Sequence, residues 1–383
     1  MFSRPDEPDH RQQLRDSVAN FVGREATLTA TRAGLACEAG FSLAHWKAMA
    51  NLGWTGILVP EEAGGLAMQH ADLVALHHEV GRGALVEPLV TVPLLAMQAL
   101  ILGGNDRLVA EIIPQLLNAD RLATLAWQGK RGMLGAEGVG PLAAPVGDGW
   151  VLSGRALFVP LADQATGFVA AAKTREGVLL AWVDSAPVMV STVPHVDGSR
   201  LATVDLEGIT ISPDHVIAGP VLGAEILDQV LDIARLAVSA QLQGVMEQAF
   251  QMTLDHMKQR VQFGRPIASF QALQHRAVTL YVQIEMARSA LLRAAATLDD
   301  PEAGPGTRSA QVSAAKSRAG EAAQMVVKEC IQMHGAIGYT EEYDLSLYVK
   351  RALGLSAWLG NPGAHRARWF KLRNDFGGQG HGH

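Results

Sequence analysis

From residue 223 to about residue 376 the apolar residues repeat at helical spacing with few breaks, and this pattern limits the fold more than any other feature of the chain. Ile226, Val230, Ile233, Ala237, Ala240 and Gly244 fall on one stripe. Phe270, Leu273, Ala277, Leu280, Ile284, Ala287 and Leu291 fall on a second, and Val312, Ala315, Ala319, Ala322, Val326 and Cys330 on a third. Breaks at FGRPI (263–267) and DDPEAGPG (299–306) separate three helices of about 25–35 residues, and a fourth is expected from about 342. Helices this long, each with one apolar stripe, bury that stripe against one another, so residues 223–383 predict a four-helix bundle.

The period changes in residues 122–222. GDGWVLSGRALFVPLADQATGFVAAAK, GVLLAWVDS, VMVSTV and LATVDLEGITIS are short β-branched runs separated by Gly, Pro and Asp, which predicts a small antiparallel barrel or sandwich. Residues 1–121 return to helical spacing. Leu14, Val18, Phe21 and Val22 share a face, as do Phe41, His45, Met49 and Leu52, and a helix is expected from about Met68 to Arg82. Pro88, Pro93 and Gly103-Gly104 punctuate two further short helices. The fold class is therefore mainly α with a central β domain. An N-terminal helical domain (1–121) is followed by a small β-barrel (122–222) and the C-terminal four-helix bundle (223–383).

Totals exclude several functions. The 383 residues carry a formal charge of −6 with no Lys/Arg run, so nucleic acid is not an expected partner. Cys37 and Cys330, the two cysteines, lack metal-ligand spacing and read as buried reduced thiols; no metal site is expected. Acidic residues near the start argue against a signal or transit peptide, and the longest apolar stretch, around 89–102, is interrupted by Pro93 and Gln98. A cytoplasmic chain without a membrane span is expected. The tail GGQGHGH reads as a frayed end. No Gly-x-Ser-x-Gly, Walker-type or Gly-x-Gly-x-x-Gly sequence occurs in a strand–turn–helix setting.

The break between the first two bundle helices asks for more than a turn. QRVQFGRPIASFQALQHR (259–276) needs Gly264 and Pro266 to reverse the chain, yet Arg260, Gln271 and His275 flank it with planar, multi-donor side chains. The spacing Arg-x-x-Phe-Gly-x-Pro-Ile-x-x-Phe-Gln-x-x-x-His resembles the signature of the acyl-CoA dehydrogenase family. LGWTGILVPEEAGGLAMQHAD (52–72), ADQATGFVAAAK (162–173) and CIQMHGAIGYTEEYDLSLYVKRA (330–352) are similar to other parts of that family, so the resemblance covers nearly the whole chain. It implies FAD bound at a subunit interface. Arg260 would pair with the pyrophosphate, a contact suited to a guanidinium. Phe263 would pack beside the cofactor, Gln271 would hydrogen-bond it, and Gln332, Met333, His334, Gly335 and Ala336 would cradle the adenine end. Read as isolated residues, Arg260 and Gln271 would simply cap helix ends. LDIARL (231–236) matches the family's Asp-x-x-Arg, which implies that Asp232 and Arg235 lie toward an acyl-CoA substrate; the plain alternative is an i,i+3 ion pair on a helix face.

The same resemblance exposes gaps. The family's chemistry is α,β-dehydrogenation of an acyl-CoA thioester, in which a carboxylate removes the α-proton. Most relatives carry that Glu in a Tyr-Glu-Gly turn; here SAWLGNPGAHR (356–366) puts Trp358, a candidate substrate contact, in the Tyr place and Leu359 in the Glu place. A smaller branch puts the Glu one residue before the Arg, where this chain has Ala234. The catalytic residue is therefore unknown. Thr-x-Gln becomes Asn361-Pro362-Gly363, and the flavin-facing β-domain motifs are lost in AWQGKRGMLG (126–135) and GRALFVPLA (154–162). The half-site for the chain's own flavin is damaged, while the half-site lent to a neighbour is intact. This implies a homo- or hetero-oligomer, dimer or tetramer, that shares the FAD site, with the base on a separately encoded chain as in α2β2 relatives that shorten steroid side chains. Two alternatives stay open: a non-redox acyl-CoA-binding scaffold, and a flavin enzyme of this fold with other chemistry. Glu247 and Asp255 are the acidic candidates for a relocated base, with Glu247 near a face expected to carry solvated charge. Ala234, Ala237, Ser239 and Ala240 hint at room for a bulky acyl group such as a sterol ring.

Overall fold

The computed structural model describes residues 7–129, 133–186 and 188–377. The chain forms two compact units, each made from separated segments. The first comprises the described residues of Met1–Arg32, His70–Leu85 and Arg235–His383; the second comprises Ala33–Gln69 and Val86–Ala234. The GGQGHGH tail lies outside the described residues except for Gly377.

The helices in chain order are α1 (Asp9–Arg24), α2 (Leu28–Ala36), α3 (Leu43–Asn51), α4 (His70–Arg82), α5 (Gln98–Gly103) and α6 (Asp106–Leu117), then α7 (Pro220–Gln259), α8 (Gln271–Asp299), α9 (Pro305–His334), α10 (Leu345–Ala357) and α11 (Pro362–Gly377). The expected long helices are α7, α8 and α9, of 40, 29 and 30 residues. The expected fourth helix is divided into α10 and α11, and the turn between them carries Leu359. Ahead of α5, Thr91–Met97 is π-helical, with the Leu95 N–H reaching back to Val90 O at 3.1 Å. Pro93, which has no N–H, sits inside this run and favours the widened turn.

α7 is buried on every side from Val230 to Gly244 and beyond. It meets α4 at a glycine-to-glycine crossing. A Cβ on Gly81 would lie 2.1 Å from Gln241 O, and one on Gly244 would lie 2.0 Å from His78 O. Only hydrogen fits at either position, so the two backbones approach far more closely than side chains would allow. An Asp299 carboxylate caps α4, accepting from the His70 and Ala71 N–H groups at 2.8 and 3.0 Å.

The β segment is not a barrel. β1 (Ala123–Ala126), β2 (Leu142–Val146), β3 (Gly149–Ser153), β5 (Gly167–Lys173), β6 (Val178–Asp184), β9 (Thr210–Ile211) and β10 (Val216–Ala218) form an open sheet of order β10-β6-β5-β2-β3-β9, with β1 pairing β5. β4 (Arg155–Pro160), β7 (Met189–Pro194) and β8 (Arg200–Asp205) form a separate sheet of order β4-β8-β7. Of the antiparallel barrel or sandwich expected from the sequence, the two sheets correspond to the sandwich; the barrel is corrected, and so is the antiparallel pairing, since β1 and β2 each pair β5 in parallel. Local backbone explains the split. Gly154 (φ +86°) turns the chain between β3 and β4, which pairs with β8 from Arg155 on, and a bulge between Ala156 and Val159, with Phe158 at φ +59°, interrupts that register. Leu152, Phe168, Leu179, Val204 and Leu206 pack a common core from the two sheets.

Cys330 is buried as expected, but Cys37 is exposed one residue past α2, its thiol directed at Ala33 O.

Candidate functional site

Most of the residues singled out in the sequence gather at two places in the first unit, while Asp232 and Ala234 belong to the second. The first is the α7–α8 connection. β11 (Val261–Gln262) and β12 (Arg265–Pro266) make a two-residue hairpin whose loop, Phe263-Gly264, has φ +53° and +76°. This is the geometry of a type I′ turn, which ordinarily selects Asn, Asp or Gly at its first position. A bulky residue in left-handed backbone is strained, and Phe263 is also 92% exposed. The Ile267 N–H closes the loop onto Arg260 O at 2.8 Å. Phe270 meets Phe263 edge-on at 6.1 Å and lies under the Arg265 guanidinium at 4.4 Å. Arg260 and Gln271 are exposed, and the Arg260 guanidinium has no carboxylate partner among the described residues. Gln271 opens α8, whose N-terminus has no side-chain cap.

The C-terminus of α9 is brought to the same end of the helices. His256, one turn before Arg260, stacks on His334 with ring centroids 4.4 Å apart, and Tyr343 lies 5.1 Å from His334 on another side. The His334 Nδ1–H donates to Cys330 O at 2.8 Å, which leaves Nε2 as the acceptor; that atom is buried and unpartnered. Burial, reinforced against protonation by His256, holds the His334 pKa below its usual range. The next residue, Gly335, has φ +71° and ψ −145°, a region open essentially to glycine alone, and the space around a would-be Cβ is empty. Gln332 and Ala336 are exposed beside it, whereas Met333 is turned into the interior.

The second place is the α10–α11 turn. Leu359 (φ +56°) and Gly360 (φ +115°) turn the chain, and Trp358 is half-buried. The Leu359 carbonyl accepts from Arg235 Nε at 3.2 Å and from His365 Nε2 at 3.0 Å. Lys316 Nζ donates to Leu355 O, Ser356 O and Gly360 O at 3.0, 3.3 and 3.0 Å. Arg235, Lys316 and His365 are all wholly buried, and Asp232 lies one turn before Arg235 on α7, also buried. The sequence reading found Arg235 and Asp232 but missed Lys316 and His365. A signal for Lys316 was present, since it interrupts the alanine stripe Val312, Ala315, Ala319.

Neither position at which the sequence resemblance placed a base holds an acid: Ala234 is fully buried and Leu359 is 9% exposed. Ala237, Ser239 and Ala240 are fully buried as well. Glu247 corrects the expectation of a solvated charge. It is buried, with Oε1 accepting from Arg288 and Gln243 at 2.8 Å each and Oε2 paired with His78 Nε2 at 3.0 Å. Burial opposes the charge, but His78 and Arg288 win, and the carboxyl is pulled down to about 2. The network continues from His78 to Glu79 at 3.0 Å and from Glu79 to Arg15, whose guanidinium also binds both oxygens of Glu7 at 2.8 and 2.9 Å. At 1.5 Å rise per residue, Glu247 and Asp255 lie about 20 and 30 Å along α7 from Ala234.

Comparison with known proteins decides the family. The N-terminal domain profile of acyl-CoA dehydrogenases matches residues 8–120, and the C-terminal domain profile matches residues 222–369. The acyl-CoA dehydrogenase IpdE2 of Mycobacterium tuberculosis is 32% identical over 357 residues, covering 93% of this chain and 94% of that protein. The chain belongs to the acyl-CoA dehydrogenase family. Its members are flavoproteins. IpdE2 of Mycolicibacterium smegmatis is 29% identical over 92% of the chain and 96% of its own length. Among solved structures, the steroid ACAD Tcur3481-Tcur3483 superposes with a TM-score of 0.86 at 26% identity over 97% of this chain and 99% of that one. The ChsE4-ChsE5 complex from Mycobacterium tuberculosis gives 0.88 at 23% identity over 97% and 98%, a likeness of fold. No helix of the described residues is long and apolar enough to cross a membrane.

Proposed function

We propose that this chain is the base-lacking subunit of a heteromeric, FAD-dependent acyl-CoA dehydrogenase, and that it lends one half of a cofactor site to a partner chain. The observation that carries the reading is the pair Leu359 and Ala234: neither side chain accepts a proton, and the strongest acidic substitute on α7, Glu247, is already committed to His78 and Arg288. The proton acceptor for an acyl α-carbon then comes from another polypeptide.

The residues fit the cofactor on four observations. Arg260 offers an exposed, unpaired guanidinium for a diphosphate. Phe263 is held in strained backbone with its ring in solvent, a cost that contact with a neighbour's ligand would offset. His334 Nε2 is an orphaned buried acceptor, and Gly335 leaves the adjoining backbone open to close approach. Gln271 and Gln332 supply amides at the two edges, and Met333 contributes through its backbone. FAD supplies the hydride acceptor when bound. The chain's own residues would bind and orient it, and Arg235 and Trp358, at the α10–α11 turn, would lie toward the acyl-CoA. Supporting relatives include the two-named Tcur3481-Tcur3483 steroid ACAD and the ChsE4-ChsE5 complex, which is why a second chain and a steroid-like or fatty acyl group are favoured here.

The test is a visible absorption scan of the chain purified alone and of the chain co-expressed with a base-bearing relative. A colourless chain that becomes yellow and active only in the co-expressed assembly is the expected result. A chain that is yellow alone and bleaches with an acyl-CoA overturns the heteromer. One that is yellow and indifferent to every acyl-CoA points to other flavin chemistry.

A further inference from the structure

The α10–α11 turn is anchored more completely than a helix end requires. A helix stops on a glycine alone in many proteins. Here the carbonyls of Gly354, Leu355, Ser356, Ala357, Leu359 and Gly360 all receive hydrogen bonds: Gly354 and Ala357 from the Trp358 and Gly360 N–H groups, the other four from Arg235, Lys316 and His365. These three side chains arrive from α7, α9 and α11. Lys316 does the most. Its ammonium spans the turn, holding Leu355 and Ser356 at the end of α10 and Gly360 beyond the left-handed Leu359.

Burying an ammonium among carbonyls, with Arg235 nearby, is expensive. Desolvation and repulsion from Arg235 push the Lys316 pKa down to about 7. A methionine would fill the same space without that penalty but would leave the Leu355, Ser356 and Gly360 carbonyls without this donor. What the lysine gives is geometry: three donors on one centre fix both sides of a turn whose central residue sits in strained backbone.

We propose that Lys316 is a positioning residue, which fixes the 355–360 turn and through it holds Trp358 and Leu359 against the acyl thioester. This rests on the assignment of the turn to the acyl-CoA site. Lys316 touches no reacting atom; it acts through the backbone that it grips. Arg235 and His365 are its helpers on the single Leu359 carbonyl.

The experiment compares the full-length chain with Lys316→Met and Lys316→Arg, by hydrogen exchange of the peptide amides spanning 355–361 and by calorimetric titration with octanoyl-CoA. Loss of hydrogen bonds from a charged donor predicts exchange faster by on the order of tenfold or more in K316M, with octanoyl-CoA affinity falling by a similar factor. K316R, which keeps several donors, recovers part of both. Unchanged exchange in K316M overturns the proposal. A loosened turn with unchanged octanoyl-CoA affinity upholds the grip of Lys316 on the turn and overturns the acyl-site assignment beneath it. Should K316M fail to fold, the wild-type chain decides: octanoyl-CoA slows exchange across 355–361 if the turn faces the thioester, and protection confined to other segments overturns the proposal.

Discussion

Replacing Glu247 by Gln removes one charge from the centre of the buried network and leaves the shape almost unchanged. Two cationic groups, Arg288 and His78, then lose their common carboxylate while remaining buried. Two routes give the magnitude. The carboxyl is pulled from 4.5 to about 2, and at about 1.4 kcal/mol per pKa unit that is worth about 3 kcal/mol. Removing one partner of a buried ion pair costs roughly 3–5 kcal/mol. The agreement supports about 3 kcal/mol for E247Q, a drop in thermal midpoint of roughly 4 °C for a chain of 383 residues. The pH dependence has a definite sign. His78 is raised above 6.5 by Glu247 and Glu79, against the effect of burial. Its contribution is therefore full below 6.5 and lost as the pH rises through its folded value. The deficit of E247Q is thus greatest between about pH 4.5 and 6.5, narrowing on the alkaline side as His78 loses its proton and on the acid side as the Glu247 carboxyl gains one. Circular dichroism melts of wild type and E247Q at several pH values measure it, alongside turnover by the co-expressed assembly. Turnover per folded assembly stays near wild type. A mutant that melts like wild type but has lost turnover refutes the reasoning, because Glu247 would then be serving chemistry and not structure.

Other outcomes follow from single contacts. Gly244→Ala places a methyl 2.0 Å from His78 O and forces α4 and α7 apart, a loss of roughly 1–3 kcal/mol readable by chemical denaturation; a stabilised variant would contradict the crossing. Lys316 sits at about 7 in the fold against 10.5 when free. Between those values the unfolded chain binds a proton that the folded chain does not, so stability rises with pH, by up to about 1.4 kcal/mol per unit. Denaturation of K316M as a function of pH should lack that slope, and parallel curves would contradict the burial of the charge. Arg260→Ala leaves the thermal midpoint of the isolated chain unchanged and lowers the flavin content of the assembly; full flavin occupancy would remove Arg260 from the cofactor site.

The long helices were legible because their stripes, such as Val312 to Cys330, are buried as the period demands. The stripe at the start of α8 was a poorer guide, since Phe270, Leu273 and Ala277 are only half-buried. The solvated face assigned to Glu247 failed for a physical reason. Periodicity locates an apolar stripe, but α7 is enclosed on all sides, and its polar residues Gln241, Gln243 and Glu247 find partners inside. The barrel failed because Gly154, in left-handed backbone, turns the chain into β4, which pairs with β8 in a second sheet, and because the pairings of β1 and β2 with β5 join segments distant in sequence. Arg260, Gln271 and His275 stood out because a turn does not need them, whereas Phe263, Gln332 and Gly335 were reached only through the family resemblance. His365 acts on a backbone carbonyl, a contact that leaves no spacing pattern to read, whereas Lys316 could have been noticed where it interrupts an alanine stripe.

The most direct test of the missing base is proton exchange. The chain alone, and the chain in its co-expressed assembly, are incubated with an acyl-CoA in heavy water, and loss of the α-proton signal is followed by NMR. No α-proton exchange by the isolated polypeptide, with rapid exchange by the assembly, is the predicted result. Exchange catalysed by the isolated polypeptide at the rate of the assembly would place the proton acceptor within this chain and contradict the account.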